Sequence, residues 1–439
     1  MRDSRTRAWR RCPSAFLALG SAFKSPPRYD SWEDVFQAMR QEIGDQPTIV
    51  ILDEFPWAVE ADRGLPSYLK KAWDHVFPGS QIKLLISGSH ISAMEKLLVS
   101  DAPLFGRMTG KLLVRPFPFV QITPFVPRYD AEKRLAVHAI LGGIPDYLRQ
   151  WDDKADLMTN IRKIFLAELS PYRNESEILI SDVLRRDSPD YEAVLAAVGR
   201  GKHAMDDICA DAVLPSHRVA YVLGALVEVR LVERRLRASV PLDQQAKARH
   251  ARYYLADPFL QFYYRFVAPN RSQIAQGLYD EIEQQFREQV RSFVGSAFEE
   301  LCRTWTLVQA RNRGLPFSPE FVGSDWGTQH QADVVAVNWR RHQVLIGEAR
   351  WTDDPTDHRE WRDFMDRAEK VVQRLTLAVA QQARKPRQEV IPWERHLMLF
   401  SRRGVTPPVK TAAKQAGCQL LTFGELVAAL ERLPDRPIR

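Results

Sequence analysis

PTIVILDEFPWAV, Pro47 to Val59, decides the fold class. Within it, Thr48 to Leu52 is a run of β-branched and aliphatic residues with no polar break, which predicts a strand buried on both faces. The run delivers two carboxylates, Asp53 and Glu54, at its carboxyl end, where open α/β sheets place their ligands. Downstream, QIKLLISGS (Gln81 to Ser89) repeats the pattern as a second buried strand ending in Ser87, Gly88 and Ser89. APLFGRMTGKLLVRPF (Ala102 to Phe117) then carries Arg107 just after a tight turn at Gly106, a cation suited to meeting negative charge. A strand ending in two solvated carboxylates would have the same local sequence, so the ligand reading needs all three segments together.

The 439 residues are 45% hydrophobic and 27% charged, an ordinary globular composition. At about 150 residues per domain, that length suggests roughly three domains. Cys12, Cys209, Cys302 and Cys418 lie far apart, with neither CxxC nor Cys/His spacing. This excludes a disulfide scaffold, argues against a zinc site and fits a reducing, cytoplasmic setting. The formal charge of +7 is a mild basic excess, compatible with nucleic-acid contact without demanding it. No stretch approaches the roughly 18 uninterrupted apolar residues of a membrane helix. Arg2, Arg5, Arg7, Arg10 and Arg11 precede the apolar run Cys12 to Phe23 and loosely imitate a secretory signal. Pro13, Ser14 and Gly20 break that run, and a reading frame beginning inside a larger domain is the expectation.

In this order and spacing the three segments resemble the archaeal-type ATPase family, in the STAND branch of AAA-like P-loop proteins. The helical LGGIPDYL segment (Leu141 to Leu148) follows as it does in that family, and the likeness covers nearly the whole chain. The resemblance implies ATP and Mg2+ as cofactors. Asp53, in the Walker B position, would hold the magnesium, and Glu54 would orient the attacking water. Ser89 would be a sensor-type side chain toward the γ-phosphate, and Arg107 a cationic partner for phosphate charge. One motif departs. The family's GxxxxGK[ST] loop is missing, and GRGKHA (Gly199 to Ala204) has neither its spacing nor its place. Without the loop there is no backbone N–H cradle and no lysine for the phosphates. About 47 residues precede the Walker B strand, too few for the missing units, so a truncated P-loop core over 1–125 is expected.

Residues 126–186 read as a helical lid, in which EKRLAVHAILGGIPDYLRQW either closes over nucleotide or simply connects. From Asp187 to Asn270, Tyr191, Val194, Leu195 and Val198 recur at helical spacing, and a short helix, MDDICADA, follows. Pro215 opens a third helix with Val219, Val222, Leu223 and Leu226 on one side. LVERRLRA and ARHARYYLAD then alternate like a hairpin. Three helices and a hairpin predict a winged helix-turn-helix. Its third helix would expose Ser216, His217, Arg218 and Tyr221, and its wing Arg234, Arg235, Arg237, Arg249 and Arg252. Two readings stay open: double-stranded DNA with the helix in a major groove, or a protein-contact module. The aromatics of YYLADPFLQFYYRFVAPNR (Tyr253 to Arg271) read as core, with base stacking the alternative.

After a helical linker over 271–290, residues 291–439 change character. SFVGSAFEELCRTWTLVQ is amphipathic, with Val294, Phe298, Leu301, Trp305 and Val308 on one face. HQADVVAVNWRRHQVLIGEARW gives two strands joined by a basic turn; Asp333 begins the first, and Glu348 and Arg350 share a face near the end of the second. A closing strand, helix and strand complete an α/β sheet. Helix, Asp, then Glu-x-basic resembles the PD-(D/E)XK nuclease superfamily, to which the carboxy-terminal domain of this ATPase family belongs. That resemblance implies Mg2+ or Mn2+ on Asp333 and Glu348, with Glu299 as accessory carboxylate and Arg350 at the developing phosphate charge. GEARW stands where Glu-x-Lys-Trp is expected, and an inactive relic of the fold is the alternative.

The expected fold class is therefore α/β: a partial P-loop NTPase core with a helical lid, a winged helix-turn-helix, and a carboxy-terminal nuclease-like α/β domain. Three functions remain: an ATPase-family protein coupling nucleotide state to DNA-associated activity, a DNA-binding regulator without catalysis, or a metal-dependent nuclease. The sequence is silent on oligomeric state.

Overall fold

The computed structural model describes residues 29–89, 91–170, 172–173, 189–247, 251–327, 331–384, 386 and 389–432. The amino-terminal arginines, the Cys12 to Phe23 run and Arg249 lie outside the described residues. The architecture is mixed α/β, with separate helical and sheet regions. The chain divides into two compact units, 1–114 and 115–439.

In the first unit, helix α1 (Trp32–Ile43) starts at Ser31, whose hydroxyl accepts the Asp34 N–H at 3.1 Å. Its buried stripe, Trp32, Val35, Phe36, Met39 and Ile43, has the 3.6-residue period. Strand β1 (Thr48–Leu52) leads into α2 (Phe55–Ala61) and α3 (Leu65–His75), and β2 (Ile82–Ile86) lies parallel to β1. Both predicted strands form, but the expected burial on both faces does not. Val50, Leu52, Leu84 and Ile86 pack on the core with α1 and α3, while Ile49 and Ile51 are 63% and 62% exposed. Among the described residues the unit's helices cover one face of this two-stranded pair only.

The second unit opens on helical structure. Helix α4 (Ala131–Leu141) ends at Gly142, and Gly143 is where the LGGIPDYL motif meets the backbone of Phe117. A Cβ at Gly143 would stand 1.9 Å from the Phe117 carbonyl oxygen, so only glycine fits. Helices α5 (Pro189–Gly199), α6 (Met205–Ala212) and α7 (Ser216–Glu228) precede an antiparallel hairpin of β3 (Val232–Arg235) and β4 (Arg252–Leu255). Phe259, Phe262, Tyr263, Tyr264 and Phe266 are all at most 1% exposed. They are core, which removes the base-stacking alternative.

Helix α8 (Asp280–Arg311) runs unbroken through the expected boundary at 290. Its first half puts Ile282, Phe286 and Phe293 into the aromatic core, and its second half puts Phe298, Leu301 and Trp305 against a five-stranded sheet. That sheet is ordered β5 (Phe321–Trp326), β6 (Gln331–Asn338), β7 (Gln343–Arg350), β8 (Glu394–Ser401) and β9 (Cys418–Thr422). The first three strands are antiparallel, and β8 and β9 continue parallel to β7. Helices α9 (His358–Ala383) and α10 (Pro407–Gln415) cover one face, while α8 and α11 (Phe423–Glu431) cover the other. Burial on both faces explains why β6 reads as a nearly continuous apolar run. A capping box between Asp357 and Glu360 starts α9.

Candidate functional site

The β6–β7 register pairs Val334 with Gly347, which brings Asp333 beside Glu348. Glu299 approaches from α8. The three carboxylates and Arg350 line one cavity of about 480 Å3, together with Gln331, Asp363, Asp366, Arg367 and Lys370. All the residues singled out from the sequence in this domain therefore meet at one place. Asp333 and Glu348 are only 7% and 5% exposed.

Asp333 Oδ2 accepts the Ala349 N–H at 3.0 Å, and its main-chain carbonyl accepts from Arg303 at 2.9 Å. Glu348 Oε1 accepts from Arg367 Nη2 at 2.8 Å and faces Arg350 Nη2 at 3.1 Å. Burial and the neighbouring Asp333 charge push Glu299 up to about 8. The same two causes push Glu348 up to about 8 against the pull of Arg350 and Arg367. Burial also raises Asp333.

The carboxylates thus feel one another's charge, yet they do not make a ligand set. Among the described residues, no three His, Cys, Asp or Glu side chains are grouped to hold a metal ion. The expected Mg2+ or Mn2+ does not fit the pocket as arranged, because Glu348 is already neutralised by two guanidinium groups.

Arg367 was not among the residues read from the sequence. Its signal is helical spacing: Asp363, Asp366, Arg367 and Lys370 stand at i, i+3, i+4 and i+7 of α9, opposite the buried stripe of Trp361, Phe364, Ala368 and Val371. Arg303 and Gln331 were missed too, since neither belongs to a motif.

On the three-helix module, Ser216, His217, Arg218 and Tyr221 are exposed on α7, as expected. Arg218 is ion-paired with Asp190 and lies over the Tyr221 ring. The wing differs from expectation. Arg235 donates to Glu233 and, at 2.7 Å, to Glu300 of α8, and stacks on Tyr254. Arg252 donates to Gln331 at 3.2 Å and lies over Trp326. Arg237 is half-buried, its charge disfavoured by burial and by Arg374. The reason is a docked hairpin. The segment after β3 bonds to strand β5, Ala238 N–H to Ser324 O at 2.9 Å and Ser239 N–H to the fully buried Asp325 at 3.1 Å. Of the three wing arginines proposed for DNA, only Arg234 is exposed.

In the first unit, Glu54 sits at φ +49°, a left-handed turn that aims the chain from β1 into α2. The Ser87 hydroxyl donates to Asp53 at 2.5 Å and the Ser89 hydroxyl to Glu54 at 3.1 Å, so the two strand ends meet through these pairs. Arg107 follows the expected turn at Gly106 (φ +72°), but its guanidinium is engaged by Asp74 at 3.0 and 2.8 Å. The Arg107 charge is thus matched within the fold.

Comparison with known proteins sets these sites in context. Residues 263–364 match a family described as archaea bacterial proteins of unknown function, DUF234. The match begins in the aromatic core and ends within α9, taking in Glu299, Asp333, Glu348 and Arg350. The chain is similar to uncharacterized protein MJECL04 of Methanocaldococcus jannaschii, 28% identical over 330 residues, 74% of this chain and 71% of that one. It is also similar to uncharacterized protein MJ0424 of the same organism, 36% identical over 56 residues, 13% of this chain and 54% of that one. Among solved structures it resembles the Walker-type ATPase PABY2304 of Pyrococcus abyssi at 19% identity and a TM-score of 0.42, over 60% of this chain and 78% of that one. Among the described residues no helix is long and apolar enough to cross a membrane.

Proposed function

We propose that this chain is a DNA-associated protein of the archaeal-type ATPase kind whose carboxy-terminal domain is a PD-(D/E)XK-like module. In this reading the module engages the phosphodiester backbone without cutting it at an appreciable rate. The observation that carries the reading is the meeting of Asp333, Glu348, Arg350 and Glu299 in one cavity on a sheet. Arg350, Arg367 and Lys370 supply N–H donors for phosphate oxygens, and arginine matches such an oxygen pair with a planar fork. Hydrolysis needs an activated water. Arginine does not accept a proton, and the carboxylates form no ligand set through which a metal would lower the water's pKa.

The three-helix module and hairpin act as a winged helix whose DNA-facing part is α7 and Arg234. The wing's other arginines hold it to the sheet. ATP finds little support in this chain. Asp53 and Glu54 stand at a strand end in Walker B fashion, but the sequence has no GxxxxGK[ST] loop to cradle phosphates, and no nucleotide step is derived through them.

Fluorescence anisotropy of the full chain with a short DNA duplex tests the reading. We expect binding that weakens with salt, with a slope of about −0.9 in log K against log salt for each phosphate neutralised. Arg234→Ala and Lys370→Ala should each reduce that slope by about one, and Arg235→Ala should leave it unchanged. Failure to bind duplex at low salt would overturn the proposal. Rapid plasmid cleavage with manganese, lost in Glu348→Ala, would show an active nuclease instead.

A further inference from the structure

We propose that Arg350 and Arg367 take the place of a divalent cation in the carboxylate pocket, so that the site works without metal. The inference rests on the nuclease-like reading of that pocket. Both Nη2 groups approach one oxygen, Glu348 Oε1, at 3.1 and 2.8 Å. Two guanidinium groups carry together the charge of one magnesium or manganese ion. An ion of that kind takes carboxylate oxygens at about 2.0–2.1 Å and holds an octahedral shell around itself. Two cationic N–H donors on the same oxygen exclude it by occupancy and by repulsion.

The arrangement is built from two layers of the fold. Arg350 comes from the sheet, two residues after Glu348 on the same face. Arg367 comes from α9, packed across that face. Glu348 is only 5% exposed, and the Arg350 and Arg367 side chains are 22% and 24% exposed, so water weakens these pairs little. Asp333 adds to the closure, because its Oδ2 is taken by the Ala349 N–H. The Nε atoms of Arg350 and Arg367 are both buried without a hydrogen-bond partner. Each guanidinium therefore keeps a donor that Glu348 does not use, and a phosphate oxygen would satisfy it.

Manganese alone is the probe, titrated into the full chain and followed by electron paramagnetic resonance and by calorimetry. We expect the parent protein to bind it no tighter than about 1 mM. Arg367→Ala, by freeing one side of Glu348, should improve manganese affinity about tenfold or more, and Glu348→Gln added to it should abolish the gain. Arg367→Lys, which restores a cation, should behave as the parent does. If Arg367→Ala loses its circular dichroism signature, Arg350→Gln is the substitute. Micromolar manganese binding by the parent, lost in Glu348→Gln, would overturn the inference, as would folded variants that bind no more manganese than the parent. Duplex affinity should be the same with a chelator as with manganese, and affinity lost on chelation would also overturn it. A chain that binds no duplex at all refutes the phosphate reading instead, and the manganese titration still decides this one.

Discussion

Glu299 and Glu348 hold protons at pH values where a solvated carboxyl has lost its own. Both rise from the ordinary value of 4.5 to about 8 in the folded protein, through burial and then the Asp333 charge. In the unfolded chain these groups release their protons near the ordinary value. Between about 4.5 and about 8 the folded state therefore binds more protons than the unfolded one, and stability falls as pH rises through that window. Glu299→Gln removes one such group without removing its bulk. It should stabilise the protein at pH 8 by on the order of 1–2 kcal/mol and have little effect near pH 4.5. Thermal melts of both proteins across that range check this, and parallel curves would contradict it. Asp333, Glu348 and Arg350 were legible in the sequence because strand alternation fixes their faces. Arg367 was not, since it reaches Glu348 from α9, on another layer, and nothing local to Glu348 announces it.

At the scale of elements, the hairpin shows how a correct secondary-structure reading can mislead about function. The alternation in LVERRLRA and RYYLAD does give two paired strands. A basic hairpin suggests DNA only while its charges face solvent, and burial against α8 and β5 is a tertiary fact that alternation does not encode. Arg235 illustrates this by joining Glu233 of its own strand to Glu300 of α8. Arg235→Ala and Arg252→Ala should each loosen the docked hairpin by about 1 kcal/mol, the ordinary worth of a partly exposed pair. Hydrogen exchange at Val232–Arg235 and Arg252–Leu255 should speed up while the amides of β7 and β8 keep their protection. Unchanged exchange in the hairpin would mean that these contacts do not hold it. The start of α8 escaped the sequence reading for a related reason. Between Asp280 and Gln289 only Ile282 and Phe286 are apolar, a stripe too thin to separate a helix from a linker. The β1 reading erred the other way, because an unbroken apolar run does not say how many faces are covered.

Over the whole molecule, the two units rest on separate cores, and that of the first is small, gathered around Phe36, Phe55, Leu65 and Leu69 on one side of a two-stranded pair. Calorimetry should resolve two unfolding transitions, the smaller and less stable one belonging to residues 29–114. Leu69→Ala, at a site 1% exposed, should lower only that transition, by about 2–5 kcal/mol. A single transition moved as a whole by this substitution would show that the two units unfold as one. The second unit is organised differently, because the 32 residues of α8, about 48 Å long, serve both the aromatic core and the sheet. This has a consequence for heredity. A genetic crossover between the codons for Phe286 and Trp305 would leave each daughter gene with half a helix and one unfinished core. Recombination can therefore move the carboxylate-bearing sheet into another gene only with its aromatic neighbour attached, so the two are inherited as one piece.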